Sequence, residues 1–169
     1  MSIRIYRRAG AVWVARLVWC RAVCVYDGDG FLAVSAGKRW MVRVWGIDAP
    51  EYGQSGFLES RRVLMGLVAG ERLYCQVVCV DRYGRRVCRV WTAAGLDVGL
   101  EMVWLGWAWW YRRFGAGGVE LRDGMVEARR RCVGLWAKNG VEPPWSFRRR
   151  NRGSITRLSI VDCGLSIGE

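Results

Sequence analysis

The stretch that decides the fold has an acidic segment at each end, DGD at 27–29 and DAPE at 48–51. Between them, FLAVSA at 31–36 and RWMVRVW at 39–45 flank a Gly-Lys pair and alternate as the strands of a β-hairpin do. Because a hairpin brings its two ends together, the acidic segments are expected to be neighbours in the fold. The sequence therefore predicts a cluster of carboxylates at one end of this hairpin.

Two of these carboxylates, Asp29 and Asp48, are the candidates for holding a cation. Side-by-side carboxylates repel each other unless a cation lies between them, and hard oxygen ligands favour calcium or magnesium. The alternation also puts Arg43 on the strand face opposite to Val42 and Val44. If those valines are core, Arg43 points towards whatever the acids bind.

Pro50 gives the second acidic segment its shape. It fixes its own φ and favours an extended conformation at Ala49, which makes 48–51 a stiff corner. Such a corner can aim the Asp48 carboxylate and the Ala49 carbonyl at one ion and leave Glu51 free for another task. For these four residues alone, the alternative is a plain acidic turn between a strand and a helix.

Three further motifs follow along the chain. DRYGR at 81–85 is a polar turn that opens a strand with an arginine, GWAW at 106–109 follows a short helical pattern, and GLW at 134–136 with PPWSFR at 143–148 ends the folded part. In this order and at these distances, the chain resembles the staphylococcal nuclease (thermonuclease) family over about residues 20–148. The resemblance implies an α+β fold, a five-stranded OB-type β-barrel with three α-helices, and a calcium-dependent nuclease site.

The resemblance also implies roles at the acidic centre. Asp29 and Asp48 match the calcium ligands of the family, with the backbone carbonyl of Ala49 as a third. Glu51 matches the residue that activates or orients the attacking water. Gly30 is a departure, because the family usually has threonine there, and its absence removes a hydroxyl that could steady the outer shell of the ion.

A second set of implied roles concerns the substrate. Arg43 and Arg85 match the pair that grips the phosphate, and Arg82 with Tyr83 matches positions that touch the other phosphate of the substrate. The run WWYRRF at 109–114 departs from the tyrosine pattern of the family, so base stacking by a particular ring there stays open. For Trp107 and Trp109, packing in the core or rim is the favoured interpretation.

The composition indicates which class of molecule the protein binds. The chain has 169 residues, enough for one domain with its own core, and a formal net charge of +12. A polyanion is its natural partner, and nucleic acid ranks above a membrane surface because the sequence shows no separate basic amphipathic helix. The chain lacks histidine, which excludes a histidine general base and leaves carboxylates, a metal ion and arginines for hydrolysis.

The seven cysteines allow two interpretations. Cys20 and Cys24 share a strand face, as do Cys75 and Cys79, and in an OB-type barrel the two strands are neighbours. A four-thiolate zinc site is therefore conceivable, but four-residue spacing is not the tight pairing of zinc ribbons. Free thiols are the favoured interpretation, and they point weakly to a reducing compartment.

The chain divides into a basic N-terminal arm (1–11), a nuclease-like domain (12–148) and a basic, flexible C-terminal tail (149–169). The arm is expected to be solvated. The apolar run at 9–15 imitates a signal peptide, but Arg16 interrupts it and no small-x-small cleavage site follows. The sequence favours a cytoplasmic monomer, with a secreted or periplasmic location as the alternative.

Hydrophobic periodicity supplies the remaining elements. Strands are expected at 12–26, 71–80 and 85–91, and helices at 55–69, 98–105 and 119–136. Together with the acids and arginines, the resemblance implies a calcium-dependent endonuclease that acts on DNA, with RNA also open. By resemblance, cleavage breaks the 5′ P–O bond and leaves a 3′-phosphate. The alternative is a non-catalytic OB-type module that binds single-stranded nucleic acid.

Overall fold

The computed structural model describes residues 3–8, 11–112 and 118–151, with side chains from Leu17 onward. Eight strands lie in these ranges: β1 Ile3–Arg8, β2 Ala11–Val25, β3 Gly30–Ser35, β4 Lys38–Val44, β5 Ile47–Asp48, β6 Leu73–Val80, β7 Arg86–Thr92 and β8 Trp109–Trp110. The same ranges hold four α-helices and a 3-10 helix: α1 Phe57–Val68, α2 Val98–Trp104, α3 Val119–Arg130, the 3-10 turn Gly134–Ala137 and α4 Pro144–Arg150.

Five of the strands close into a barrel, as the sequence predicts. They run in the order β2-β3-β4-β7-β6, and β6 pairs back onto β2. Closure depends on the length of β2, because Leu17–Cys20 pairs with β6 while Arg21–Val25 pairs with β3. A bulge between Ala22 and Cys24 bends the strand where it passes from one neighbour to the other. One 15-residue strand thus serves both sides of the barrel.

The predicted alternation of β4 is confirmed. Trp40, Val42 and Val44 are buried in the barrel core, whereas Arg43 on the other face is partly exposed. Helix α1 closes one side of this core with Leu64 and Val68, which are fully buried. The strand and helix faces that the sequence marks as apolar are therefore the faces that meet.

The prediction of three helices is wrong by one. The last predicted helix, 119–136, divides: α3 ends at Arg130, and Cys132 (φ 51°) and Gly134 (φ 58°) turn the chain into the 3-10 helix. A Cβ on Gly134 would lie 2.5 Å from the carbonyl oxygen of Leu105, so this turn packs directly against the end of α2. The additional helix, α4, begins after Pro143, in a segment predicted only to close the domain.

The N-terminal arm also differs from its expectation as a solvated segment. Ile3–Arg8 pairs antiparallel with β2, from Ile3 opposite Arg16 to Arg8 opposite Ala11. Because β2 extends beyond the part that the barrel uses, it offers an edge on which β1 can pair. At the other end of the chain, α4 continues to Arg150, two residues past the predicted end of the domain at 148, and residues 152–169 lie outside the described part.

Two contacts fix the acidic corner to the rest of the molecule. The short strand β5 pairs with β8, which sets Asp48 opposite Trp109. Gly28 packs so closely against α1 that an added Cβ would lie 1.8 Å from Ser60 Oγ and 2.7 Å from Ala49 Cβ. Ser60 Oγ cannot easily move, because it is buried and donates a 2.7 Å hydrogen bond to the carbonyl of Trp107.

Gly28→Ala is therefore expected to destabilise the fold by about 1–3 kcal/mol through overpacking. Gly66→Ala is the matched control: Gly66 lies within α1, and a Cβ there meets nothing within 4 Å. The control should raise stability by roughly 0.5–1 kcal/mol, because alanine is the better helix former. Urea unfolding of both variants measures the difference, and equal stabilities would contradict the packing at Gly28.

Candidate active site

The acids at the two ends of the hairpin converge on one arginine. Arg43 Nη1 donates to Asp29 Oδ1, and Arg43 Nη2 donates to Asp48 Oδ1 at 2.9 Å and to the carbonyl of Ile47 at 3.3 Å. Both carboxylates are buried. The second oxygen of Asp29 accepts the backbone N–H of Ala49 at 2.9 Å. The hairpin thus brings Asp29, Arg43, Asp48 and Ala49 together as the sequence predicts.

A third acid, Asp27, lies behind this cluster. One of its oxygens accepts the backbone N–H of Asp29 at 3.0 Å. Burial and the nearby Asp29 carboxylate raise the pKa of Asp27 to about 8. A Cβ on Gly30 would lie 2.9 Å from Asp27 Oδ1. The absence of a side chain at position 30 therefore leaves room for the Asp27 carboxylate.

The remaining charges of the centre are strongly perturbed. Burial alone would lower the pKa of Arg43, but the charges of Asp29 and Asp48 raise it by more. The net pKa is therefore raised, and this guanidinium is a permanent cation. Burial raises the pKa of Asp48 and of Glu51, while hydrogen bonds from Arg148 oppose both increases. Groups whose pKa values shift through burial and specific partners are typical of active sites, although ion-pair networks also produce them.

Arg148 is a site residue that the sequence analysis assigned only to the end of the domain. Its Nη1 donates to Asp48 Oδ1 at 3.1 Å and to Glu51 Oε1, and its Nη2 donates to Asp48 Oδ2 at 2.7 Å. The available signal was Pro143-Pro144, which is typical of a helix start and places Arg148 in the second turn. No sequence pattern indicates that this helix lies beside residues about 100 positions earlier.

Three contacts hold α4 beside the acidic centre. Gln54, which is buried, accepts the backbone N–H of Glu51 at 3.0 Å and donates to the carbonyl of Glu142 at 2.5 Å. The rings of Tyr111 and Trp145 stack with centroids 5.7 Å apart. The Glu142 carboxylate also accepts a hydrogen bond from Arg150 at 2.8 Å. Hydrogen bonds and ring stacking therefore hold α4 next to the acidic corner at 48–51.

The other predicted substrate residues form a separate group on the β6–β7 turn. Arg85 Nε donates to Asp81 Oδ2 at 2.8 Å, and its guanidinium lies 5.5 Å from the centroid of the Tyr83 ring. Arg82 donates to the Tyr83 hydroxyl at 2.5 Å. In the parallel pairing of β4 and β7, Arg43 lies opposite Val87, two residues beyond Arg85. The turn therefore borders the acidic centre, while the contacts seen for Arg85 are made within the turn.

The donor set fits a hard cation. Asp29 and Asp48 are near enough to share one guanidinium, and carboxylate and carbonyl oxygens are the ligands that calcium takes. Within the described ranges, no group of three Cys, Asp or Glu side chains could hold a metal ion. A calcium ion here would therefore combine the two carboxylates with a backbone carbonyl, such as that of Ala49, and with water.

The cysteines do not assemble the alternative zinc site. Cys20 and Cys75 are buried with their sulfurs 3.4 Å apart, whereas Cys79 is exposed. Cys20, Cys75, Cys79, Cys88 and Cys132 are free thiols, whereas Cys24 is in a disulfide, so the free-thiol interpretation is wrong for Cys24.

The predicted packing of Trp107 and Trp109 is confirmed. Trp109 is buried and meets Trp136 edge to face, and Trp107 is half-buried against the core. No helix in the described part of the chain is long and apolar enough to span a membrane.

Comparison with known proteins agrees with this geometry. The family described as "Staphylococcal nuclease homologue" matches residues 41–138. A protein of Escherichia coli O157:H7 named "Uncharacterized endonuclease" is 35% identical over 130 residues, covering 77% of this chain and 84% of its own. A "Micrococcal nuclease" of Shigella flexneri is 30% identical over 141 residues, covering 78% and 81%. A "Staphylococcal-like nuclease" of Arabidopsis thaliana is 36% identical over 116 residues, covering 69% of this chain and 35% of its own. The chain belongs to the staphylococcal nuclease family.

Proposed function

We propose that the protein is a calcium-dependent endonuclease that hydrolyses phosphodiester bonds in DNA, with RNA as a second substrate. The observation that supports this most directly is the buried pair Asp29 and Asp48, which share Arg43 next to Glu51. The family and the net charge of +12 point to the same class of polyanionic substrate.

In this proposal, Asp29, Asp48 and the Ala49 carbonyl would hold a calcium ion, which would supply positive charge to offset that of the phosphate. Glu51 accepts a proton from a water molecule, and the water oxygen bonds to phosphorus in line with the breaking bond. The bond from phosphorus to the 5′ oxygen breaks, the 5′ oxygen takes a proton from solvent, and the other fragment keeps a 3′-phosphate. Glu51 then releases its proton to solvent, so that one water molecule is consumed for each phosphodiester bond and the carboxylate is restored.

The arginines supply the other half of the proposed chemistry. Arg43 and Arg85 donate hydrogen bonds to the nonbridging oxygens, whose negative charge increases as the water attacks. Arg85 would exchange its contact with Asp81 for the phosphate. Arg82 and Tyr83, both exposed on the same turn, would touch the adjacent phosphate of the strand. The protein acts as a monomer in this proposal, without a membrane partner.

The first test is metal dependence. Two carboxylates and a carbonyl suit the large, flexible oxygen shell of calcium better than the tight octahedron of magnesium. Cleavage of plasmid DNA should therefore appear with calcium, fall sharply with magnesium alone, and stop in excess chelator. RNA digestion under the same conditions tests the second substrate. Undiminished cleavage in chelator would remove the metal from the mechanism, and binding without cleavage in calcium would favour the OB-type binding module.

A further inference from the structure

Arg148 has no task in the function proposed so far, although its guanidinium contacts Asp48 and Glu51. Asp48 is fully buried and accepts from both Arg148 and Arg43. Asp48 is already paired with Arg43. Placing the Arg148 side chain against this buried acid removes water from the guanidinium, a free-energy cost that a solvent-facing arginine would avoid. A position with that cost calls for an explanation in the chemistry of the site.

The contact between Arg148 and Glu51 lies where a reacting water molecule would have to approach. Arg148 donates to Glu51 Oε1 and so occupies one of the two oxygens of this carboxylate. For a water molecule to use that oxygen, the guanidinium must leave it, and another anion must then take the guanidinium.

The scissile phosphate is the anion best suited to take it. The planar fork of arginine matches phosphate as well as carboxylate, and a phosphodiester that presents its phosphorus to a water beside Glu51 has its nonbridging oxygens in the same small space. Its charge also becomes more concentrated during attack, so the guanidinium gains most in the transition state.

The structure allows this exchange with little rearrangement. The backbone near Arg148 is held by the link from Gln54 to Glu142 and by the stack of Trp145 on Tyr111. The Arg148 side chain, by contrast, is 33% exposed, so part of it is accessible from solvent. A backbone held in place with a side chain open to solvent suits an arginine that binds phosphate.

We propose that Arg148, which contacts Asp48 and Glu51, is a further catalytic residue that donates hydrogen bonds to the nonbridging oxygens of the scissile phosphate during cleavage. This inference rests on the proposed nuclease function. It adds an arginine from α4 to the proposed arginine from the β6–β7 turn, Arg85.

The test compares R148A and R148K with R149A in the full-length protein with calcium. Arg149 is the matched control, because it is the next residue of α4, carries the same charge and is exposed. Turnover at saturating DNA should fall by about 100- to 1,000-fold in R148A, the usual effect of losing one preorganised donor. R148K should recover only a small part, since lysine keeps the charge but lacks the fork. R149A should stay close to wild type.

A second readout separates catalysis from a structural role. Free methylguanidinium should restore part of the turnover of R148A and leave R149A and a Glu51→Ala protein unchanged. The KM for DNA should change little in R148A, because the arginine acts mainly in the transition state. Circular dichroism and thermal unfolding of each variant report on the fold independently of activity. R148K keeps the proposal testable if R148A does not fold.

Three results would overturn the proposal. Normal or higher turnover in R148A would show that the arginine only blocks the site. A loss that R148K fully restores would show that charge alone matters, without phosphate geometry. A loss that follows thermal instability and does not respond to methylguanidinium would make the contact structural. In all three cases cleavage by the wild-type protein stands, whereas a wild-type protein that never cuts would refute the proposed function itself.

Discussion

Glu51→Gln is expected to lower turnover at saturating DNA by about 100- to 10,000-fold, the range in which general acid–base groups contribute. Glutamine keeps the shape of the side chain and can still accept a hydrogen bond from Arg148, but it cannot take a proton from water. Burial raises the pKa of Glu51 in spite of Arg148, which makes the carboxylate a stronger base than an exposed glutamate. The loss should therefore appear in kcat, with the KM for DNA nearly unchanged.

Glu59→Gln is the control for this variant. Glu59 is exposed in the first turn of α1, eight residues further along the chain, and it loses the same charge on the same change. Its turnover should match the wild type. Single-turnover cleavage of a labelled duplex measures both variants, and calcium titration checks that each still binds the ion. A folded Glu51→Gln protein that cuts at a normal rate would remove Glu51 from the role of base.

The acidic centre could be predicted from the sequence because its geometry is local. Asp29 and Asp48 lie at the two ends of one hairpin, and the antiparallel register of β3 with β4 sets Gly30 opposite Arg43. Alternation then decides which face Arg43 occupies, and Pro50 constrains the corner that follows. Each of these rules acts within about 20 residues of chain. The convergence of Asp29, Arg43 and Asp48 is accordingly found as expected.

What could not be predicted depends on contacts between distant segments. Arg148 meets Asp48 only because the loop before α4 is held by Gln54 and because Trp145 stacks on Tyr111. None of these pairings leaves a periodic signal in the sequence. The end of α3 is similar: Cys132 is left-handed although cysteine has no preference for that conformation, and Gly134, which completes the turn, packs against the end of α2. Tertiary contacts decide both features.

The N-terminal strand illustrates a different limit. Arginines at 4, 7 and 8 suggest a solvated arm by composition, yet Ile3–Arg8 pairs along its whole length with β2. Charged side chains are compatible with an edge strand, and they discourage further pairing with other molecules. Whether such a segment joins a sheet depends on whether a free edge is available, which the barrel-closing strand β2 provides here.

The second large effect is expected at Asp48, where Asp48→Asn should reduce cleavage by more than about 1,000-fold. The change removes a proposed calcium ligand and a buried partner of two arginines, so it combines losses that each amount to roughly 100- to 1,000-fold or more. The fold should survive, because Arg43 keeps its ion pair with Asp29 and Arg148 keeps its ion pair with Glu51. The usual cost of about 3–5 kcal/mol for breaking a buried ion pair is therefore an upper limit for this substitution.

Asp123→Asn is the matched control, since Asp123 is exposed on α3 and its pair with Arg122 lies at the surface. Surface pairs of this kind contribute about 0–1 kcal/mol, so turnover and stability should both stay near wild type.

DNA binding by Asp48→Asn is the decisive measurement, because it separates the enzyme from a binding module. The slope of log affinity against log salt reports the phosphates that the protein neutralises, at roughly 0.9 for each in duplex DNA. Asp48 itself neutralises no phosphate, so the variant should bind with a nearly unchanged slope while it fails to cut. If Asp48→Asn cleaves DNA as fast as Asp123→Asn, the buried pair of carboxylates is structural and the active site lies elsewhere. If the wild type shows the same slope and likewise never cuts, the acidic centre serves binding alone.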